Sequence, residues 1–162
     1  MGRRSVNLLR KLALPALHNT SNAGGIYNQW LSKTADYTVL ESDMGAVIQV
    51  NPAATTLIQL PSAVTVGAGW RCSVIIDEED GGTMDRIVNI GTASGEFFTG
   101  MIIGGDGGGA VVANGTSNDF INCSTSATSG ERFDFVSTGT QMHCVGIAID
   151  VTDTLFADTA AS

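Results

Sequence analysis

Charge is scarce in this chain of 162 residues: Asp, Glu, Lys and Arg together make up 15% of it, against 43% apolar residues. Disordered chains show the reverse balance, so this one is expected to fold. Histidine occurs twice, as His18 and His143, which leaves few groups able to act as a general base near neutral pH. Cysteine occurs three times, as Cys72, Cys123 and Cys144, without a CxxC pair or a Cys/His cluster at metal-ligand spacing. His143 adjoins Cys144, but neighbours on a strand point to opposite faces and cannot grip one ion together. The thiols read as small buried apolar side chains in a reducing compartment, with one disulfide left open as an alternative. No apolar run approaches the ~20 residues of a membrane-spanning helix, so no membrane partner is expected.

Several short motifs resemble functional ones and fall short of them. "GGDGGG" at 104–109 has the glycines of a phosphate-binding loop, but no Lys-Ser/Thr follows and no helix is expected after it. "DEEDGG" at 77–82 is the dense acidic run. It departs from EF-hand spacing, and a solvated loop after a strand accounts for it without calcium. "MGRRSVNLLRKLALPAL" starts positive, yet Arg10 and Lys11 interrupt an apolar stretch already too short for a secretory signal. No nucleophile–base pair or carboxylate pair stands out, so neither catalytic residues, nor a metal, nor a cofactor is expected.

What the chain has in quantity is glycine, 20 residues of it, with turn signals every 8–12 residues. Between them lie β-type runs at 37–40, 46–50, 55–60, 70–76, 86–90, 97–103, 110–113, 119–122, 132–137 and 141–149. Phe133 and Phe135 share one face of "RFDFVS". In "TLIQL" the two faces are less separated, which points to burial on both sides or an oligomer contact. The absence of helical pattern among these runs argues against parallel βαβ units. The fold class expected is all-β, an antiparallel β-sandwich or jelly-roll-like knob.

The first 35 residues differ. Val6, Leu9, Leu12 or Ala13, and Leu17 recur at helical spacing and predict a short amphipathic helix over 4–14, followed by the polar linker "HNTSNAGG" and an apolar group with Tyr27 and Trp30. Residues 1–35 carry Arg3, Arg4, Arg10, Lys11 and Lys33 and no acid, a charge of +5. Residues 36–162 carry three arginines and all sixteen acids, a charge of −13. The reading is therefore a basic arm, 1–35, on an acidic domain, 36–162. Such an arm suits an acidic partner surface, while the acidic domain disfavours nucleic acid.

"YTVLESDMGAVIQVNPAATTLIQLPSAVTVGAGWRCSVII" resembles a β-module of tailed-bacteriophage virion proteins, found in head decorations, head fibres and tail fibres. The matching elements are Asp43-x-Gly45, the strand 47–51, Leu60-Pro61, Gly69-Trp70 and the strand 74–76, in that order. "RIVNIGT" and "ERFDFVSTGTQMHCVGI" resemble its later strands, with Met142 where a tryptophan usually follows the Gly-Thr turn. The likeness spans about residues 36–150 and implies a homotrimeric structural protein without catalytic residues. Gly45, Pro61, Gly69 and Trp70 then serve the fold. The favoured role is a capsid decoration (cement) protein on the virion surface. Its arm, through Arg3, Arg4, Arg10, Lys11, Tyr27 and Trp30, would hold the major capsid protein or another virion protein. The alternative is a tail-fibre or adhesin module that binds host glycan or another tail protein.

Overall fold

The computed structural model describes residues 29–77, 86–105, 109–125, 127–149 and 154–160. Among them are twelve strands: β1 (Trp30–Lys33), β2 (Tyr37–Thr38), β3 (Val47–Val50), β4 (Thr56–Gln59), β5 (Arg71–Ile76), β6 (Val88–Gly91), β7 (Phe98–Gly104), β8 (Ala110–Asn114), β9 (Phe120–Cys123), β10 (Arg132–Ser137), β11 (Met142–Ala148) and β12 (Thr154–Ala157). A 3₁₀ turn (Glu41–Asp43) and a one-turn helix, α1 (Ala63–Val66), complete the set. All ten expected strands are present to within two residues at each end. β1 and β12 are additional, and β1 places Trp30–Lys33, read above as part of the arm, inside a sheet.

The strands form a seven-stranded sheet ordered β1-β3-β5-β10-β11-β7-β8 and a five-stranded sheet ordered β12-β9-β6-β4-β2. The expectation of antiparallel pairing is corrected here: five of the ten pairings are parallel, so both sheets are mixed. From β1 to β6 the chain alternates between the sheets, and each strand pairs in parallel with the one two places earlier. The segment winds as a flattened coil. Parallel neighbours need a long crossover; here a strand of the opposite sheet supplies it in place of a helix. The β10–β11 hairpin then inserts between β5 and β7, antiparallel to β5 and parallel to β7.

Side chains from both sheets line one core. Phe133 and Phe135 of β10 bury beside Ile48, Val74 and Ile102, and Ile58, Ile90 and Ile121 come from the other sheet. The Phe98 ring lies 5.7 Å from that of Phe135 and 5.9 Å from that of Phe156, both tilted, so aromatic contacts link the two sheets. Met142, at the position where the resembled module has tryptophan, is fully buried at the start of β11.

Three short motifs fasten the coil. In Asp43-x-Gly45 the buried carboxylate accepts hydrogen bonds from the Leu40 amide (2.8 Å), the Tyr37 hydroxyl (2.7 Å) and the Gln29 amide nitrogen (3.0 Å). Gly45 follows at φ 80°, a conformation that favours glycine, and its N–H reaches the Arg71 carbonyl at 2.7 Å. At Leu60-Pro61 the β4 ladder makes its last bond, from the Leu60 N–H to the Gly91 carbonyl, before a residue that has no N–H to give. Ser62 then caps α1, and Glu96 accepts from both the Ser62 hydroxyl (2.6 Å) and the Ala63 amide (2.8 Å). At Gly69-Trp70, Gly69 turns with φ 91°. The indole of Trp70, 3% exposed, donates to the Glu41 carbonyl at 3.1 Å.

Candidate interaction surface

Strand registers decide which side chains share the outer face of the seven-stranded sheet. Its β1–β3–β5–β10 half is polar. Arg132 pairs with Asp134 at 2.9 Å and donates to the Ser73 hydroxyl at 3.2 Å, while Ser73 donates to Asp134. At the edge, the Trp30 indole donates to Gln49 Oε1 at 3.0 Å, and the Gln49 amide donates in turn to Asp77. Ser129 holds the other oxygen of Asp77 at 3.0 Å. Asp77 is the one described residue of the 77–80 acidic run; Glu78, Glu79 and Asp80 lie outside the described residues.

The β10–β11–β7–β8 half is different. Val136, Val145, Ile147, Met101, Ile103 and Val112 point outward on adjoining strands, each between 42% and 65% exposed. Ile149, just past the end of β11, is exposed as well. Together they leave roughly 600 Å² of apolar surface bare, at the upper limit of what a monomer shows. The nine outward positions of β7, β8 and β11 are Thr99, Met101, Ile103, Ala110, Val112, Asn114, His143, Val145 and Ile147, and none carries Asp, Glu, Lys or Arg. His143 marks one border, its Nδ1 3.1 Å from the Thr99 hydroxyl. A cavity of about 170 Å³ with largely apolar walls opens on the same face, beside Val136, between Gly45, Arg71, Ser73 and Asp134.

The residues singled out from sequence fall in three groups. Arg3, Arg4, Arg10, Lys11 and Tyr27, with the helix expected over 4–14, lie outside the described residues. Trp30 is 60% exposed on the outer face of β1, the opposite edge of the sheet from Val112. At about 4.8 Å per strand, some 19 Å separates it from the Val145 column. Gly45, Pro61, Gly69 and Trp70 sit in the fastenings described above, and Gly45 also lines the cavity beside Val136.

Sequence reasoning missed the apolar face. It attached a two-sided reading to "TLIQL", where Thr56 and Ile58 are buried and Leu57 and Gln59 half-buried in plain alternation. The signal lay in "MHCVGIA" and "FTGMIIG": apolar residues occupy both parities, so burial of one face strands the other.

Ionisable groups near the core are engaged in structure. Cys72, Cys123 and Cys144 are buried free thiols, each pushed well above the usual thiol range by loss of solvent, and for Cys72 and Cys144 further by Asp43 and Asp134 respectively. Their reactivity as thiolates is correspondingly low. The Tyr37 hydroxyl is pushed up to about 12 by burial and by the Asp43 carboxylate it donates to. Glu131 is buried, accepting from the Thr154 hydroxyl at 2.6 Å and the Ile149 amide at 3.3 Å. Among the described residues no three His, Cys, Asp or Glu side chains gather as metal ligands. No protein-family profile matches the chain, and no curated protein matches it in sequence.

Proposed function

We propose that this chain is a non-enzymatic structural protein of a tailed-phage virion, a capsid decoration protein that stabilises the head shell. In this reading the two sheets that line one core are the layers of a β-sandwich knob. The observation that carries the proposal is the bare apolar face on β10, β11, β7 and β8, a surface suited to permanent contact with protein. The order of Asp43-x-Gly45, Leu60-Pro61 and Gly69-Trp70 adds to it, since each fastens the coil as expected of a scaffold element of the resembled module.

Charge favours the head over the tail. The +5 arm, with Arg3, Arg4, Arg10 and Lys11, complements an acidic shell, and the −13 domain is held outward from it. In a homotrimer three such arms bind together, so weak individual attachments add up. Tyr27 and Trp30, at the base of the arm, extend that contact.

Antibody labelling of virions from the phage that encodes the chain is expected to mark the head. Absence from purified virions, or label confined to the tail, overturns the proposal. Deletion of residues 1–20 is expected to leave a folded protein that no longer joins shells; equal occupancy by the truncated protein refutes the role of the arm.

A further inference from the structure

We propose that the cavity beside Val136, with Arg71 among its walls, is an anchor site for an acidic segment of a partner protein. An apolar side chain of that segment enters the cavity, and a neighbouring carboxylate meets Arg71. This rests on the structural reading above and places part of the partner contact on the domain itself. It is measured on isolated protein with free peptide, so its failure leaves virion location untouched, and absence from virions leaves the peptide result standing.

Strand registers assemble the site. Arg71 and Ser73 of β5 stand opposite Val136 and Asp134 of β10, all on the outer face. Gly45 and Ala46, just before β3, add no more than one methyl group, and the hollow of about 170 Å³ opens beside them. Apolar cavities of ~150 Å³ admit a benzene-sized group, so this one has room for the side chain of a leucine or a phenylalanine.

Cations are few on this domain, and the described ones are engaged with a single exception. Lys33 lies over the Tyr37 ring at 3.5 Å, Arg86 donates to the Ala53 carbonyl at 3.3 Å, and Arg132 pairs with Asp134 at 2.9 Å. Among the described residues, Arg71 is the cation whose side chain makes neither a hydrogen bond nor an ion pair, although it is exposed on a domain of charge −13. Asp134, the other charged group of the cavity, is already held by Arg132 and Ser73. Arg71 therefore presents an unused guanidinium, whose forked donors suit a carboxylate, beside walls that suit an apolar group.

Charge selects the occupant. Residues 1–35 contain no Asp or Glu, so the chain's own arm has nothing to pair with Arg71 and would bring five cations towards it. A second copy has carboxylates, but it brings a body of −13 against another of the same charge. A partner segment with a carboxylate beside its apolar side chain meets both requirements without that repulsion.

The test is titration of the isotope-labelled full chain, followed by NMR, with capped, glycine-flanked peptides containing Asp-Leu-Asp, Asn-Leu-Asn or Asp-Ala-Asp. At millimolar concentration, Asp-Leu-Asp is expected to shift the Arg71 side-chain N–H and the Val136 amide resonances together. Binding is expected to fall about fivefold for Asn-Leu-Asn, which loses the ion pair. It is expected to fall roughly tenfold or more for Asp-Ala-Asp, which leaves the cavity unfilled. Arg71→Gln is expected to bind Asp-Leu-Asp no better than Asn-Leu-Asn. Val136→Phe, which fills the cavity from a position 42% exposed, is expected to abolish binding. Lys33→Gln removes the same charge at the β1 edge and is expected to change nothing. Circular dichroism checks each fold, and the two site variants lie on different strands, so misfolding of one leaves the other to decide. Absence of shifts at Arg71 and Val136 overturns the inference, as does equal binding of Asn-Leu-Asn or unchanged binding by a folded site variant. Self-association of the wild type that Arg71→Gln abolishes gives the site to a second copy and overturns it likewise.

Discussion

Replacing Trp70 tests the fastening at Gly69-Trp70, and the structure sets its size. Trp70 is 3% exposed, so nearly all of its ~200 Å² of apolar surface leaves water on folding. At ~25 cal/mol per Å², that burial amounts to about 5 kcal/mol as an upper bound. Collapse of neighbours into the vacancy recovers part of it, which leaves an expected loss of about 3–5 kcal/mol for Trp70→Ala. Trp70→Phe keeps most of the ring and loses the indole N–H to the Glu41 carbonyl. Glu41 is exposed, so water replaces the donor and the loss is about 1 kcal/mol beyond the volume change. Urea unfolding measures both. Far-UV circular dichroism reports the transition, because the variants lack the Trp70 indole as a fluorescent probe. A Trp70→Ala loss below about 1 kcal/mol refutes the packing argument. A Trp70→Phe loss as large as that of Trp70→Ala places the energy in the hydrogen bond instead.

Tyr37 keeps its proton in the fold to about pH 12, against 10 in the open chain, so its contribution to stability is complete below pH 10 and is lost as pH climbs towards 12. In a Tyr27→Phe protein, tyrosinate absorbance is expected to rise well above pH 10; a midpoint near 10 in a chain still folded by circular dichroism refutes the Asp43 contact. The three buried thiols are expected to resist an aromatic disulfide reagent in the native protein and to react together on unfolding. Prompt reaction of any thiol under native conditions refutes its burial.

Local signals located most strands, because glycine-rich turns bracket short β-branched runs and such punctuation needs no knowledge of the partner strand. Pairing direction was a different matter. No long helical run separates the described strands, yet parallel pairs form, because β2 serves as the crossover from β1 to β3, and β4 as that from β3 to β5. A strand that crosses between sheets looks like any other strand locally. β12 was missed because "TLFA" is a short run close to the end of the sequence, and its pairing with β9 is supplied by tertiary structure. Trp30 reads as part of the arm because its place in a sheet is set by pairing with Val47 of β3. The strand Trp30–Lys33 has Leu31 and Lys33 half-buried on one side and leaves the indole outside, against Gln49.

The corrected pairing and the apolar face share a cause. Strands in parallel sheets are commonly covered on both faces and therefore carry apolar residues at both parities. β7 and β11 form a parallel pair and show that pattern: Cys144, Gly146 and Ile102 face the core while Val145, Ile147, Met101 and Ile103 face out. The neighbouring β10, paired antiparallel on both sides, carries Arg132 and Asp134 outward and adds only Val136 to the apolar face. Composition thus changes across one strand boundary, from a face built for water to one built for a second covering layer. In the single chain the first covering layer is the five-stranded sheet, which shares the core. The outer faces of β7 and β11 carry the same apolar pattern and stand exposed.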